Sequence, residues 1–517
     1  MSPSPTGARH RADPRSHPVI LILLLLALAA AGLLPSAGPA HAISRGSQTM
    51  YTPPSNAPSP GSLYPRALRL QYSGSANGTM LATFEQSTSG TPVFPIYRST
   101  DNGNTWTQIS SVADTRNGWG MRWEPSLYEL PTAIGNYPAG TILAAGDSVP
   151  GDRSATKIDM YASTDHGLTW SFVSNIATGG QAISTNGYTP IWEPFLMVSG
   201  SKLIVYYSDQ RDLSHGQKVV HQVSTNGVTW GSVVDDVAMP TYSDRPGMPS
   251  VAKLPNGNYV MTYEYGGAPE GNFAVYYKIS ANPEAFGSVT GIPLRATDGT
   301  VPTSSPYLVW ISAGGANGTL AVSANSTADL FLNTQNGAAN TWTRVASNVA
   351  RGYSRGMVPL ADGHSLEVFS GGLLRSTGLN PVTYSTIDLG ATVLRGVGSN
   401  RCLDVPTSAT ANGTLLQIYD CNGGANQQWN LQSNGELQVY ANKCLDVPKH
   451  ATTAGTRVQI WDCNAGANQQ WTLNSDGTVV GRESGLCLEA TGAGTANATP
   501  VQIWTCTGAS NQKWTQQ

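Results

Sequence analysis

Charge is what this chain has least of. Only 12% of its 517 residues are Asp, Glu, Lys or Arg, about half the share usual in soluble proteins. The net charge is -3, and no cluster of Lys and Arg stands outside the first residues, so nucleic acid is excluded as a partner on electrostatic grounds. Cysteine is absent before residue 400. Together with the lack of any C-x-x-C or H-E-x-x-H, that gives no cysteine nucleophile and no zinc site over most of the chain. Of eight histidines three lie before residue 42, and His166 sits inside a turn motif. No glycine-rich loop follows a strand and opens a helix. No metal and no organic cofactor is expected.

What is present is punctuation. Fifty-six glycines and 33 prolines break the chain into short apolar runs, the texture of an all-β protein. At this length two domains are expected, and the last 120 or so residues read differently from the rest. Arg9, Arg11 and Arg15 precede an apolar run from Val19 to Leu34, then small residues and Ala40-His41-Ala42. This is the pattern of a secretory signal, expected over residues 1–42 and cleaved near Ala42. The run is short for a spanning helix. A secreted monomer with no membrane partner is expected.

All six cysteines lie in the tail, paired at one constant separation: Cys402 with Cys421, Cys444 with Cys463, Cys487 with Cys506. Each pair sits in a unit reading C-L-(D/E), then Q-I-(Y/W)-x-C, then N-Q-x-W. Three units of 42 to 43 residues, each too small for its own core, imply a threefold β-trefoil over 391–517. Residues 395–517 resemble a ricin B-type lectin domain with its Q-x-W repeats, a carbohydrate-binding module. The resemblance implies three sugar sites: Asp404, Tyr419 and Asn426; Asp446, Trp461 and Asn468; and Glu489, Trp504 and Asn511, the last departing by Glu for Asp. An aromatic face for stacking beside a carboxylate and an amide suits a sugar. Trp429, Trp471 and Trp514 are read as core.

Between residues 60 and 390, within an expected propeller domain at 43–390, the chain repeats a looser phrase, in which a polar residue beside proline or glycine opens an apolar strand. Its copies begin at Tyr64-Pro65-Arg66, Glu124-Pro125, Glu193-Pro194, Met248-Pro249, Ser305-Pro306 and Arg355-Gly356-Met357, at intervals of 50 to 69 residues. Each interval accommodates a four-stranded blade, and six blades closing on themselves make a six-bladed β-propeller. The sequence STDNGNTW at 99–106 recurs as STDHGLTW at 163–170, and more weakly at 224–230 and 336–342. This S-x-D-x-G-x-T-W turn, the Asp box, is read as structural: Asp and Ser tie down the backbone and Gly takes the positive φ.

Hydrolysing a glycosidic bond usually takes two carboxyl groups. At blade openings stand Glu124 and Glu193; at the ends of second strands stand Glu85, Asp147, Asp209 and Glu264. Glu193 lies in Trp192-Glu193-Pro194 and Glu264 in Tyr263-Glu264-Tyr265, where apolar neighbours raise a carboxyl pKa. These segments, within an Asp-box propeller, resemble the exo-α-1,5-L-arabinanases of glycoside hydrolase family 93 over roughly residues 45–390. The resemblance implies a retaining enzyme that releases arabinobiose from the non-reducing end of linear arabinan, a plant cell-wall polysaccharide. It makes Glu193 the nucleophile and Glu264 the acid/base, with carboxyls roughly 5 to 5.5 Å apart. Glu124, in an identical Trp-Glu-Pro, is assigned with Arg122 to binding or positioning, and an exchange with Glu193 stays open. Arg66, Arg245, Arg355, Trp192, Tyr263 and Tyr307 complete the expected substrate site.

Two other readings stay open. Sialidases clamp a carboxylate with three arginines and use a tyrosine nucleophile; Arg66, Arg245 and Arg355 with Tyr263, Tyr307 or Tyr353 offer the residue types, although Tyr64-Pro65-Arg66 departs from the sialidase R-I-P. A non-catalytic, two-module sugar-binding protein is the other.

Overall fold

A computed structural model describes residues 42–516 apart from 314, 315, 346, 348, 391, 423, 433, 441 and 442. The expected leader lies outside the described residues. The rest is β-structure with a few 3-10 turns.

Six four-stranded antiparallel sheets follow one another. Their innermost strands are Ser62–Arg69, Met121–Glu129, Ile191–Ser199, Arg245–Lys253, Tyr307–Ile311 and Gly356–Pro359. Each of these touches the next, and the last returns to the first, so the sheets are the blades of a closed propeller. Closure is made by the chain itself: Ala42–Tyr51 pairs antiparallel with Val382–Asp388 as the outermost strand of blade six. That contact ties an early segment to a late one and leaves no free edge at the seam.

The repeated phrase has a backbone cause. Tyr64, Glu124, Glu193, Met248, Ser305 and Ser354 all take positive φ, between 52° and 63°. In blades one to four the pairing with the second strand breaks at these residues, as a β-bulge. A bulge turns one residue out of the ladder toward the channel, and the proline after it in five of six copies needs no ladder partner. In the sixth blade the bulge residue is Ser354. The sequence phrase placed at Arg355 is therefore late by one, because no proline marks that copy.

The Asp boxes are hairpin turns between third and fourth strands, on the outer rim. Asp101 accepts the Thr105 amide at 2.9 Å and its hydroxyl at 2.6 Å, and Ser99 accepts the Gly103 amide at 2.9 Å. Asp165 repeats the pattern with Thr169.

From Thr392 the chain forms a β-trefoil around a core that includes Trp429, Trp471 and Trp514. Each indole donates to a carbonyl of its own repeat, at Leu403, Leu445 and Leu488, within 3.0 Å. The three disulfides pair as the repeat required. At the end of blade six, Asp388 accepts the Asn430 amide at 2.6 Å and meets His364 at 2.9 Å, so propeller and trefoil share a polar contact.

Candidate active site

The bulges bring the carboxylates together. A cavity of about 560 Å³ opens over the channel, lined by Glu124, Glu193 and Glu264 with Trp192, Gln217, Arg245, Phe273, Tyr353 and others. Each carboxylate also accepts the amide of the next bulge residue around the ring. Glu85 accepts the Glu124 N–H at 2.9 Å, Glu124 that of Glu193 at 2.7 Å, Glu193 that of Met248 at 2.6 Å, and Glu264 that of Ser305 at 2.7 Å. A positive-φ residue leaves its N–H outside the ladder, and a buried orphan N–H costs about 1–3 kcal/mol. The carboxylates satisfy those amides and so stitch neighbouring blades.

Glu193 and Glu264 differ in what holds them. Oε2 of Glu193 takes both the Met248 N–H and the Ser208 hydroxyl, at 2.5 Å, while Oε1 accepts no hydrogen bond from the described residues. Burial raises its pKa, opposed by those two donors and by Arg245 and Arg66. Glu264 is raised to about 8, by burial first and the Glu193 charge second. Both carboxyls are thus raised, but Glu193 is the one whose charge has donors and arginines to oppose the burial, while Glu264 keeps its proton near neutrality. That is the division a glycosidase needs.

Arg245 lines the cavity and is held by Asn186 at 2.5 Å and Gln217 at 2.6 Å. Trp192 lines it too, its indole donating to Gln210 at 2.9 Å. The other expected substrate residues lie elsewhere. Arg66 donates to the Ser354 carbonyl and hydroxyl and stacks between the rings of Tyr64 and Tyr307, at 4.0 and 4.4 Å; Arg66 and Tyr307 are a joint between blades. Arg122 donates to the Val149 carbonyl. Arg355 is 1% exposed and spends its guanidinium on the carbonyls of Ala324, Thr327, Ala328 and Asp329. Tyr263 is fully buried against Tyr276, because successive side chains of a strand face opposite ways and Glu264 takes the inward one. None of these five lines the cavity. Tyr353, named for the sialidase reading, lines the cavity; Ser208, Gln217 and Phe273 were not anticipated, since they reach the site from neighbouring strands and loops with no shared motif.

In the trefoil, Asp404 accepts amides from Asn426, Gln417 and Gln427 at 2.6, 2.7 and 2.9 Å. Asp446 repeats this with Asn468, Gln459 and Gln469. Beside them Tyr419, Trp461 and Trp504 are exposed, by 39%, 41% and 41%, which an apolar ring does only at a cost unless something covers it. The third unit differs: Glu489 meets Gln502 and Gln512, while Asn511 turns to the Ala490 carbonyl. The longer glutamate does not gather the amide that the aspartates do.

A propeller whose cavity is floored by two buried glutamates with unequal support for their charge, followed by a lectin-like trefoil, defines a glycoside hydrolase with a carbohydrate-binding module. Comparison with solved structures agrees. The α-L-arabinanase of Penicillium chrysogenum, complexed with arabinobiose, is 46% identical over 68% of this chain and 99% of its own, with a TM-score of 0.64. The family 93 α-L-arabinofuranosidase of Fusarium graminearum, also with arabinobiose, is 43% identical over 67% and 98%, with the same TM-score. The family model of the ricin-type beta-trefoil lectin domain matches residues 390–514. The chain belongs to glycoside hydrolase family 93.

Proposed function

We propose that the protein is a secreted, exo-acting, retaining hydrolase that releases arabinobiose from the non-reducing end of linear α-1,5-L-arabinan. Residues 43–390 form the catalytic domain, and residues 391–517 hold it on polysaccharide. Glu193 attacks the anomeric carbon through Oε1. Glu264 gives its proton to the leaving oxygen and then takes one from the incoming water. The observation that carries this reading is the unequal support of the two carboxyls: Ser208 and the Met248 amide both donate to one oxygen of Glu193, with Arg245 and Arg66 opposing its burial, whereas Glu264 has the Ser305 amide and the weaker help of Ser304 and Arg245 against burial and the Glu193 charge. The relatives crystallised with arabinobiose supply the sugar. The three disulfides favour an exported protein.

A sialidase clamp needs three arginines facing one carboxylate. Of the three arginines expected for it only Arg245 lines the cavity, beside Arg351 and Arg375; Arg355 and Arg66 are committed to carbonyls, which argues against a clamp built on the expected three. The trefoil sites at Asp404 and Asp446 are read as sugar sites, each with its exposed aromatic. Product analysis on linear arabinan, beside a sialyl-lactose control, tests the proposal. Arabinobiose as sole early product, with its anomeric configuration retained by NMR, is expected. Free sialic acid, inverted product or arabinose monomers would overturn it.

A further inference from the structure

One buried carboxyl in the site has no role so far. Asp147 closes the second strand of blade two, paired across from Trp123. It is 0% exposed, and neither of its oxygens has a donor among the described residues. An ionised carboxylate without a donor is expensive to bury. Its neighbour is Glu124, which gives Oε2 to the Glu193 amide; the two carboxyls come within hydrogen-bonding reach of one another, and with both ionised neither has a proton to donate. A hydrogen bond between two carboxyls requires a proton on one of them.

We propose that Glu124 and Asp147 share a single proton, carried by Glu124 and donated to Asp147, and that this pair positions Glu193 and keeps it ionised. The arrangement accounts for each atom. Protonated Glu124 gives the donor that Asp147 lacks, and its other oxygen remains the acceptor for the Glu193 N–H. The remaining negative charge then rests on Asp147 and not on Glu124, whose oxygen meets the Glu193 amide. The surroundings favour retention of the proton: Glu85, Glu193 and Asp159 all face the pair with like charge, and burial raises both groups well above the carboxylate range. Arg66 acts on Glu85 and Glu193, and Tyr64 and Tyr353 lie near with phenols that burial keeps protonated. The role of Glu193 as nucleophile is the reading proposed above, on which the second half of this inference rests; the shared proton does not depend on it.

Two variants test it, Asp147→Asn and Glu124→Gln, each read in two ways. The first readout is infrared difference spectroscopy on the full chain, followed as pH rises past about 7 and about 8, where Glu85 and Glu264 lose their protons, so that a carboxylic C=O band lost in the variants belongs to the pair. Wild type minus either variant should show loss of one carboxylic C=O band. An unchanged band in both overturns the shared proton whatever the substrate is. The second readout is the pH profile of kcat/KM. In Asp147→Asn the new amide donates to Glu124, which ionises beside Glu193, so the acid limb should move up by about one pH unit. Glu124→Gln keeps both hydrogen bonds and leaves the charge on Asp147; its limb should move less than that of Asp147→Asn, whatever rate it retains. Loss of the band with an unmoved acid limb in Asp147→Asn overturns the influence on Glu193. If one variant fails to fold, the other still decides the proton.

Discussion

Replacing Glu264 by glutamine separates its proton from its shape. The amide keeps a carbonyl oxygen for the Ser305 N–H now accepted at 2.7 Å, so the bulge of blade five stays satisfied and the melting temperature should stay within about 2 °C. What is lost is a carboxyl whose pKa is raised to about 8. Positioned general acids contribute about 10²–10⁴ in rate, or about 3–5 kcal/mol. kcat/KM on arabinan, whose leaving group is an alkoxide, should fall by that amount. On an aryl arabinoside the leaving group departs without a proton, so kcat/KM should fall less than about tenfold, and azide should restore turnover because it needs no base. In the wild type, kcat/KM on arabinan should decline as pH rises through about 8 and Glu264 loses its proton. That limb should vanish in the variant. Alanine in place of glutamine would leave the Ser305 amide without a partner and cost about 1–3 kcal/mol of stability besides. A glutamine variant with wild-type activity on arabinan removes Glu264 from the chemistry. An equal loss on both substrates gives it some task other than protonating the leaving oxygen.

Glu85 makes stability fall with pH. Burial raises its pKa from 4.5 to about 7, so between these values the native state holds a proton that the unfolded chain has released; the benefit is full below about 4.5 and gone above about 7. Roughly 3 kcal/mol is at stake, and Glu85→Gln should flatten that part of a melting-temperature profile. Ser208→Ala removes one of the two donors on Glu193 Oε2 and should move the acid limb of kcat/KM up by about one unit; an unmoved limb would mean that Glu193 is not the group that must ionise. Arg355→Met should lower the melting temperature and leave KM for arabinan unchanged, since the guanidinium serves carbonyls; a raised KM would return it to the substrate site. Trp461→Ala and Tyr419→Ala should each weaken retention on insoluble arabinan by several fold, and Trp504→Ala by less, because Asn511 does not join Glu489; pull-down with the intact chain measures this, and equal effects would refute the distinction.

Much of this was legible because the bulges leave a mark. A residue forced to positive φ and turned out of the ladder is followed by proline in five blades, and that pair repeats along the chain where apolar alternation alone says only strand. The phrase failed where proline was missing, at Ser354, and there a one-residue error turned a structural arginine into an expected ligand. Tyr263 failed for a different reason. Proximity to Glu264 in sequence guarantees the opposite face of the strand, so the flanking aromatics wall the blade interior and not the cavity. Gln417 and Gln427 stood within the quoted trefoil motif, but which of its amides reach the carboxylate is a matter of three-dimensional reach. Ser208 and the Met248 amide could not be read at all: they serve Glu193 from the next strand and the next blade.

Glu193 therefore carries two burdens with one side chain. Oε2 is a structural acceptor that joins blade three to blade four, and in the proposed mechanism Oε1 is left for the substrate. A carboxylate placed only for chemistry would have to be desolvated at the expense of the fold. Here the desolvation is offset in part by amides that the bulges would otherwise strand, because every positive-φ residue creates a donor that needs an acceptor. The propeller thus recruits acidic residues to its axis for reasons of backbone geometry, and the same requirement concentrates ionisable groups where like charges raise one another's pKa. The ring Glu85, Glu124, Glu193 shows the consequence within one molecule: three acceptors of the same kind of amide, of which only the last has a second donor on the same oxygen and an opposing arginine in the cavity. Function at the channel mouth is on this view a modification of a joint the fold already requires, and under the proposed mechanism the residues that convert joint to nucleophile are Ser208 and Arg245.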